Sequence, residues 1–292
     1  MYDIEALYEA ESVDHAIKLL EEHPAAKIIA GGSDVLIKIR EGDLAGISLV
    51  SIQGLDELRG IRMEGDDLWI GALTSFSHIA RDPLILKHIP VLAEAADTIG
   101  GPQLRNIATI GGNTCNGVTS ADSASTLLAW DAVMEYRGPD GIRKAPIQEH
   151  YVSAGKTGIR PAELLLGIII PKTSYENCFG HYIKYAMREA LDIATLGCSV
   201  NVKLSQNRLN IENLRVAYGV AGPIPLRAKS AEEEAAGKPL NAQSIGAIAE
   251  AALRDINPRS SWRASKEFRI QLAGEMARRA ITESLRRAGG KP

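Results

Sequence analysis

The chain has 292 residues, 45% of them hydrophobic and 24% charged, with a formal net charge of −3. That length and apolar content suffice for two domains with proper cores, and the near-neutral balance excludes a protein that gathers nucleic acid by bulk charge. The three cysteines, Cys115, Cys178 and Cys198, form no C-x-x-C pair, so they build neither a disulfide framework nor a zinc or iron–sulfur site alone, and any redox chemistry needs a borrowed cofactor.

The charge is uneven: residues 1–24 hold seven acids against Lys18, whereas residues 254–292 hold ten Lys and Arg against four acids. Such biases usually mark solvated faces. The acidic N-terminus lacks the order of a secretory signal, and the longest apolar run, Leu164 to Ile170, is too short to cross a bilayer. A cytoplasmic location is therefore expected.

Ser12 is placed to cap a helix with Val13, Ala16, Ile17 and Leu20 on one face. "KIIAGG" then reads as a buried strand entering a glycine turn, "ISLVSI" as a second strand, and "LWIGALTSFSHIARDP" as a strand with a helix starting near Thr74 or Ser75. "VLAEAADTIG" is expected to be a helix stopped by Gly100 and Gly101; a loop "RNIATIGGNTCNG" and a helix from Ser120 or Asp122 follow. "AVMEYRGPDGIRKAPI" carries the Pro-Asp-Gly turn of a hairpin, and "ELLLGIIIPK" is a strand closed by Pro171. Beyond "PKTSYENCFG" the pattern shifts to longer strands, "HYIKYAMRE", "ATLGCSVNVKL" and "LRVAYGV", with helices over most of 242–256 and 262–288, so a domain boundary is expected near 174.

Two stretches, "AGGSD" at 30–34 and "TIGGN" at 109–113, read as a strand followed by two glycines and a small polar residue. Glycine pairs suit positive φ or close approach to main-chain N–H groups, and successive exposed amides make an anion-binding concavity. Taken singly, each is an ordinary tight turn before it is a ligand loop. There is no G-x-G-x-x-G and no G-x-x-x-x-G-K-[ST], so neither a Rossmann turn nor a P-loop is supported.

The wider strings carry more. "KIIAGGSDVLIKIR" and "GPQLRNIATIGGNTCNGVTSADSA" resemble the two flavin motifs of the FAD-binding subunits of molybdenum hydroxylases, and the likeness continues through "LLLGIIIP", "HYIKYAMREALDIATLG" and "SSWRASKEFR", the last similar to the xanthine dehydrogenase branch. The resemblance implies an α+β, vanillyl-alcohol-oxidase-type (PCMH-like) FAD-binding fold in two subdomains, about 1–57 and 58–173, followed by a CO-dehydrogenase-flavoprotein-like α+β domain over 174–292. It implies that Lys27, Ile28, Ile29, Ala30, Gly31, Gly32, Ser33 and Asp34 wrap the FAD pyrophosphate, with Ser33 where threonine is commoner. Thr109, Ile110, Gly111, Gly112 and Asn113 form the second motif, and Asp122 makes a polar contact with FAD, although it reads almost as well as a helix cap. Leu165 would touch the flavin, and Lys184 would set a positive charge beside it. Arg188 and Asp192, in "AMREALDIA", would tune the ring where a nicotinamide acceptor approaches.

The function so implied is electron transfer, with no residue of the chain acting as catalyst. Electrons arrive from a 2Fe-2S subunit, a separate subunit with the molybdenum cofactor hydroxylates the substrate, and reduced FAD passes hydride to NAD⁺. A two-fold assembly of heterotrimers is the family expectation, within purine metabolism if the substrate is xanthine. Alternatives are the flavin subunit of a related aldehyde, CO or nicotinate dehydrogenase with another acceptor, a flavin-free assembly subunit, and the free-standing flavin reductase of cell-wall sugar synthesis. The histidines, including His78, His88 and His181, lack metal-ligand spacing. Arg278, Arg279, Arg286 and Arg287 belong to a partner surface or, more simply, to a solvated helix face.

Overall fold

The computed structural model describes residues 2–290. Its first layer is a parallel three-stranded sheet: β1 (Ile4–Glu9), α1 (Val13–Glu22), β2 (Lys27–Ile29), α2 (Val35–Glu41) and β3 (Ile47–Ser51), with strand order β1-β3-β2. Ser12 caps α1 by accepting from the His15 amide, and Ala16, Ile17, Leu19 and Leu20 bury the helix against the sheet with Val50.

A five-stranded antiparallel sheet follows, built from β4 (Ile61–Glu64) and β5 (Asp67–Gly71), then, after the helices, β6 (Val133–Gly138), β7 (Gly141–Pro146) and β10 (Leu164–Ile170), in the order β4-β5-β10-β6-β7. The hairpin β6–β7 turns at the Pro-Asp-Gly sequence, with Gly138 opposite Gly141. Between β5 and β6 run α3 (Phe76–Ile79), α4 (Pro83–His88), α5 (Pro90–Asp97), α6 (Pro102–Ile107), α7 (Ile110–Cys115) and α8 (Asp122–Ala129); the short pair β8 (Tyr151–Ser153) and β9 (Lys156–Thr157) lies between β7 and β10. Ser75 and Asp82 cap α3 and α4 as their residue types demand. One core spans the sheet and these helices, with Trp130, Tyr136, Phe76 and Ile70 fully enclosed.

After the single turn α9 (Lys172–Tyr175), a second antiparallel sheet of β11 (Cys178–Tyr185), β12 (Leu196–Leu204), β13 (Ile211–Gly219) and β14 (Leu226–Arg227) is backed by α10 (Lys229–Ala235), α11 (Ala242–Ala252) and α12 (Lys266–Arg287). The helix expected over 262–288 begins at Lys266 because Ser265 caps it, while Ser261 and Ala264 close a turn ahead of it. The helix expected over 242–256 ends at Ala252 and runs out in a 3₁₀ turn to Asp255, which is held by Ser230.

The four C-terminal arginines are not one solvated row. Arg278 and Arg279 pair with Glu275 and Arg286 with Glu283, but Arg287 turns inward to Glu94 of α5 and the Gly180 carbonyl of β11. His181 Nδ1 lies 3.1 Å from the other oxygen of Glu94, so one carboxylate ties α5 to both β11 and the end of α12. Burial works against the Glu94 charge, yet His181 and Arg287 outweigh it and hold the carboxyl below its ordinary value.

Candidate functional site

A cleft of about 940 Å³ opens between the first sheet and the helices of the second layer. Its floor is where the two glycine motifs meet. A Cβ on Gly31 would stand 1.9 Å from the Ile107 carbonyl oxygen, and one on Gly111 would stand 2.6 Å from that of Ala72. The glycines are therefore required first for wall-to-wall approach, and Gly32, at φ +73°, for the turn itself. Gly112 has open space but for Thr109 Oγ1 at 3.0 Å.

The two motifs differ in what they offer. In the first, no carbonyl among the described residues accepts from the amides of Gly31, Gly32 or Ser33, all of which line the cleft. In the second, the amides are already used: Ile110 donates to Thr74 O, Gly111 to Ala72 O, Gly112 to Thr109 Oγ1 and Asn113 to Thr109 O. The general picture of a glycine turn as a concavity of exposed amides therefore fits the first motif, whereas the second spends its amides inside the fold. "TIGGN" also does not follow a strand: α6 ends at Ile107, Thr109 is the cap of α7, and its strand-like pairing is a single bridge to Ser75. What the second motif gives the cleft is a bare Cα at Gly112 and the Asn113 side chain, whose oxygen accepts from Ser123 Oγ at 2.7 Å, leaving the NH₂ to donate.

Lys27, Ile28, Ala30, Asp34, Thr109 and Leu165 also line the cleft, whereas Ile29 and Ile110 do not. The Ile29 carbonyl accepts from Ile52 to extend the sheet, and Ile110 is wholly buried in the core. Leu165 reaches the cleft from β10 beside a register shift in the pairing with β6, while on the β5 side the Leu166 carbonyl accepts from the Ala72 amide.

Asp122 and Lys184 lie together outside this cleft. Lys184 Nζ donates to Asp122 Oδ2 at 2.8 Å and to the Thr98 carbonyl at 2.9 Å, while the Tyr182 hydroxyl donates to Asp122 Oδ1 at 2.9 Å. The cap reading of Asp122 is corrected: Ala121 occupies the cap, and the carboxylate faces β11 instead. Burial pushes the Asp122 carboxyl up and the Lys184 ammonium draws it back. Lys184 is only 9% exposed on its strand because this carboxylate receives it.

Lys184 lines a second cleft of about 310 Å³ with Thr98, Arg188 and Asp192. Segment 98–104 is the partition: Thr98 faces the second cleft, and Ile99 and Leu104 face the first. Asp192 does not project as a free charge. It accepts from the amides of Met187, Arg188 and Ile193, and although partial desolvation raises its pKa, those bonds hold it below the ordinary value. Arg188 stays exposed, 3.6 Å from Asp192.

Sequence reading passed over Lys38, Asn116, Arg160 and Glu163, all of which line the main cleft. Lys38 Nζ donates to Asn116 Oδ1 at 3.0 Å, so α2 and the end of α7 are joined through a cation with a neutral partner. A lysine one helical turn beyond "GGSD" was the available signal. Glu163 is gripped by both arms of Arg143 and accepts from the Arg160 amide; these bonds overcome its desolvation and lower its pKa.

Residues 2–173 match the family described as FAD binding domain in molybdopterin dehydrogenase, and residues 181–284 match the CO dehydrogenase flavoprotein C-terminal domain. The chain is 43% identical over 292 residues to the xanthine dehydrogenase FAD-binding subunit of Escherichia coli O157:H7, covering 100% of this chain and 99% of that one. It is 30% identical over 272 residues to the carbon monoxide dehydrogenase medium chain of Hydrogenophaga pseudoflava, 93% of each. A solved structure of that organism's carbon monoxide dehydrogenase, lacking the Mo-pyranopterin moiety, superposes with a TM-score of 0.94 at 30% identity, over 98% of this chain and 99% of that one. The fold is thus the PCMH-like FAD-binding architecture with a CO-dehydrogenase-flavoprotein-like C-terminal domain. The chain belongs to the FAD-binding subunits of the xanthine dehydrogenase and molybdopterin dehydrogenase family, which are parts of FAD-dependent oxidoreductases.

Proposed function

We propose that this chain is the FAD-binding subunit of a xanthine dehydrogenase that receives electrons from a 2Fe-2S subunit, serves a partner holding the molybdenum cofactor, and delivers the electrons to NAD⁺. The observation that carries the xanthine reading is the 43% identity along the whole length to a xanthine dehydrogenase subunit, against 30% for the carbon monoxide enzyme's chain. The heterotrimeric assembly, the cytoplasmic location and the divisions 1–57, 58–173 and 174–292 belong to the same proposal. Among the described residues, no helix is long and apolar enough to cross a membrane.

The residues present fit FAD. The unshared amides of Gly31, Gly32 and Ser33 suit a pyrophosphate, and Lys27 and Lys38 add positive charge along the same wall. Ala30, Asp34 and Thr109 complete that end, and the bare Gly112, Asn113 NH₂ and Leu165 suit a flat ring system with polar edges. Ile29 and Ile110 act by holding the neighbouring backbone, and Gly111 by its fit against Ala72. When bound, FAD supplies the exchange between one-electron and two-electron carriers. The protein's tasks are to hold that group in one geometry, to keep water from its inner face with Ile99, Leu104 and Leu165, and to present Lys184, steadied by Asp122, as a fixed positive charge.

The test is the visible spectrum of the purified chain, then addition of NADH without oxygen. A flavin spectrum that bleaches is expected. Flavin that stays oxidised would replace NAD⁺ with another acceptor, and a colourless chain that takes up no added FAD would overturn the cofactor assignment.

A further inference from the structure

Arg269 is 2% exposed, yet none of its partners among the described residues is an acid. Its Nε donates to the Thr195 carbonyl at 3.2 Å, its Nη2 to Ser261 Oγ at 2.8 Å, and its Nη1 to the Arg259 carbonyl. Burying a guanidinium on neutral acceptors is costly, and Arg259 and Arg263 add repulsion. Nothing in the sheet demands it, since β11 and β12 are paired in register from Cys178 and Lys203 to Tyr185 and Leu196 by their own backbones. The three acceptors lie instead on two separate segments, Thr195 and 259–261.

Thr195 is where the chain returns from the loop 186–194. At the outgoing side, the Tyr185 ring meets Phe268, the neighbour of Arg269, edge to face at 5.8 Å. Thr195 N also donates to Tyr185 O at 2.8 Å. The first turn of α12, fixed by the Ser265 cap on Phe268 N, thus grips both sides of the loop's neck. Beyond the neck, Asp192 shapes the loop through three amides, Leu191 sits at φ +55°, and its Cδ2 would meet a Cβ on Gly101 at 2.8 Å, so the loop lies against the partition of the two clefts.

We propose that Arg269 is a positioning residue: by joining Thr195 to the 259–261 segment it fixes the stance of the loop 186–194, and with it the width of the second cleft through which a dinucleotide electron acceptor reaches the site. Lysine cannot replace it, because one ammonium on a flexible stem does not reach two segments in fixed directions. The proposal rests on the flavin reading above for its acceptor, but not for its effect on the loop.

The test uses the assembled complex with Arg269→Met, Arg269→Lys, Ser261→Ala and Phe268→Ala; the last two remove a grip without placing a gap under the guanidinium. Hydrogen exchange of the 186–194 amides should accelerate about tenfold in Arg269→Met and less in Ser261→Ala. The KM for NAD⁺ should rise about fivefold or more with kcat little changed and flavin content as in the wild type, Arg269→Lys not restoring it. Unchanged loop exchange and unchanged KM in flavin-loaded Ser261→Ala and Phe268→Ala would overturn the proposal, as would rescue by lysine. A wild-type chain without flavin would overturn the cofactor reading instead, and the exchange data would still judge Arg269.

Discussion

At the residue scale, the glycines carry the clearest physical statement. Gly31 faces a carbonyl at a distance no Cβ tolerates, whereas Gly54 has nothing within 4 Å. Gly31→Ala must push the first motif away from α6, at a cost of about 1–3 kcal/mol, and should leave a folded protein that loses flavin; Gly54→Ala should keep it. Absorbance of bound flavin after gel filtration checks both. That the two motifs meet was not legible in "AGGSD" and "TIGGN", because contact between residues some eighty positions apart is a tertiary event. The glycines themselves were, since only close approach or positive φ calls for such pairs. The same limit hid the Asp122–Lys184 pair: nothing local in either stretch names the other, and only the tertiary approach of the first residue of α8 to β11 makes them partners.

At the element scale, α7 is held from behind by a buried histidine. His150 Nε2 lies 3.1 Å from the Thr114 carbonyl, so it must donate there, and Nδ1 then accepts from the Tyr136 hydroxyl at 2.7 Å. Desolvation, joined by the charge of Arg143, keeps the imidazole pKa below its ordinary value of 6.5. A group depressed on folding binds its proton more readily when unfolded, so its contribution is present above 6.5 and is lost as pH falls through the folded value. His150→Gln should cost about 1–3 kcal/mol and flatten the decline of stability between neutral and mildly acid pH. Thermal melts across that range check it; equal slopes in the two proteins would refute the assignment. Sequence reading placed His150 nowhere, because a histidine after a hairpin carries no periodic signal.

At the scale of the whole molecule, Glu94 links the helical layer to the C-terminal sheet through His181 and Arg287. Arg287→Ala should lower the melting temperature by a few degrees and leave a protein that a protease cuts more readily between the two layers. Reversing Arg278, Arg279 and Arg286 together should leave the melting temperature near that of the wild type. Any loss of partner binding in that triple variant then reports on the surface alone, a separation that changing all four arginines would confound. Because the Glu94 pKa is depressed, this link is intact above the ordinary glutamate value of 4.5 and fails as pH falls through the folded value. Glu94→Gln should remove that acid step.

The central strands, the helices capped by Ser12 and Ser75 and the family were legible in the chain, because each is written locally: in apolar period, in Ser before a helix, and in motif strings whose order survives; β1 and β4, the cap of α8 and the approach to the second motif were not. The sequence also supplied the stretch of the main cleft wall that the first motif forms, Ile29 apart, since those residues are contiguous. Long-range packing sets the rest: the first motif keeps its amides unshared and the second has used them, segment 98–104 divides two clefts, and Arg269 and Arg287 point inward. The physical reason is the same in each case. A hydrogen-bonding group's availability depends on what else reaches it, and that is set by segments far away in the chain.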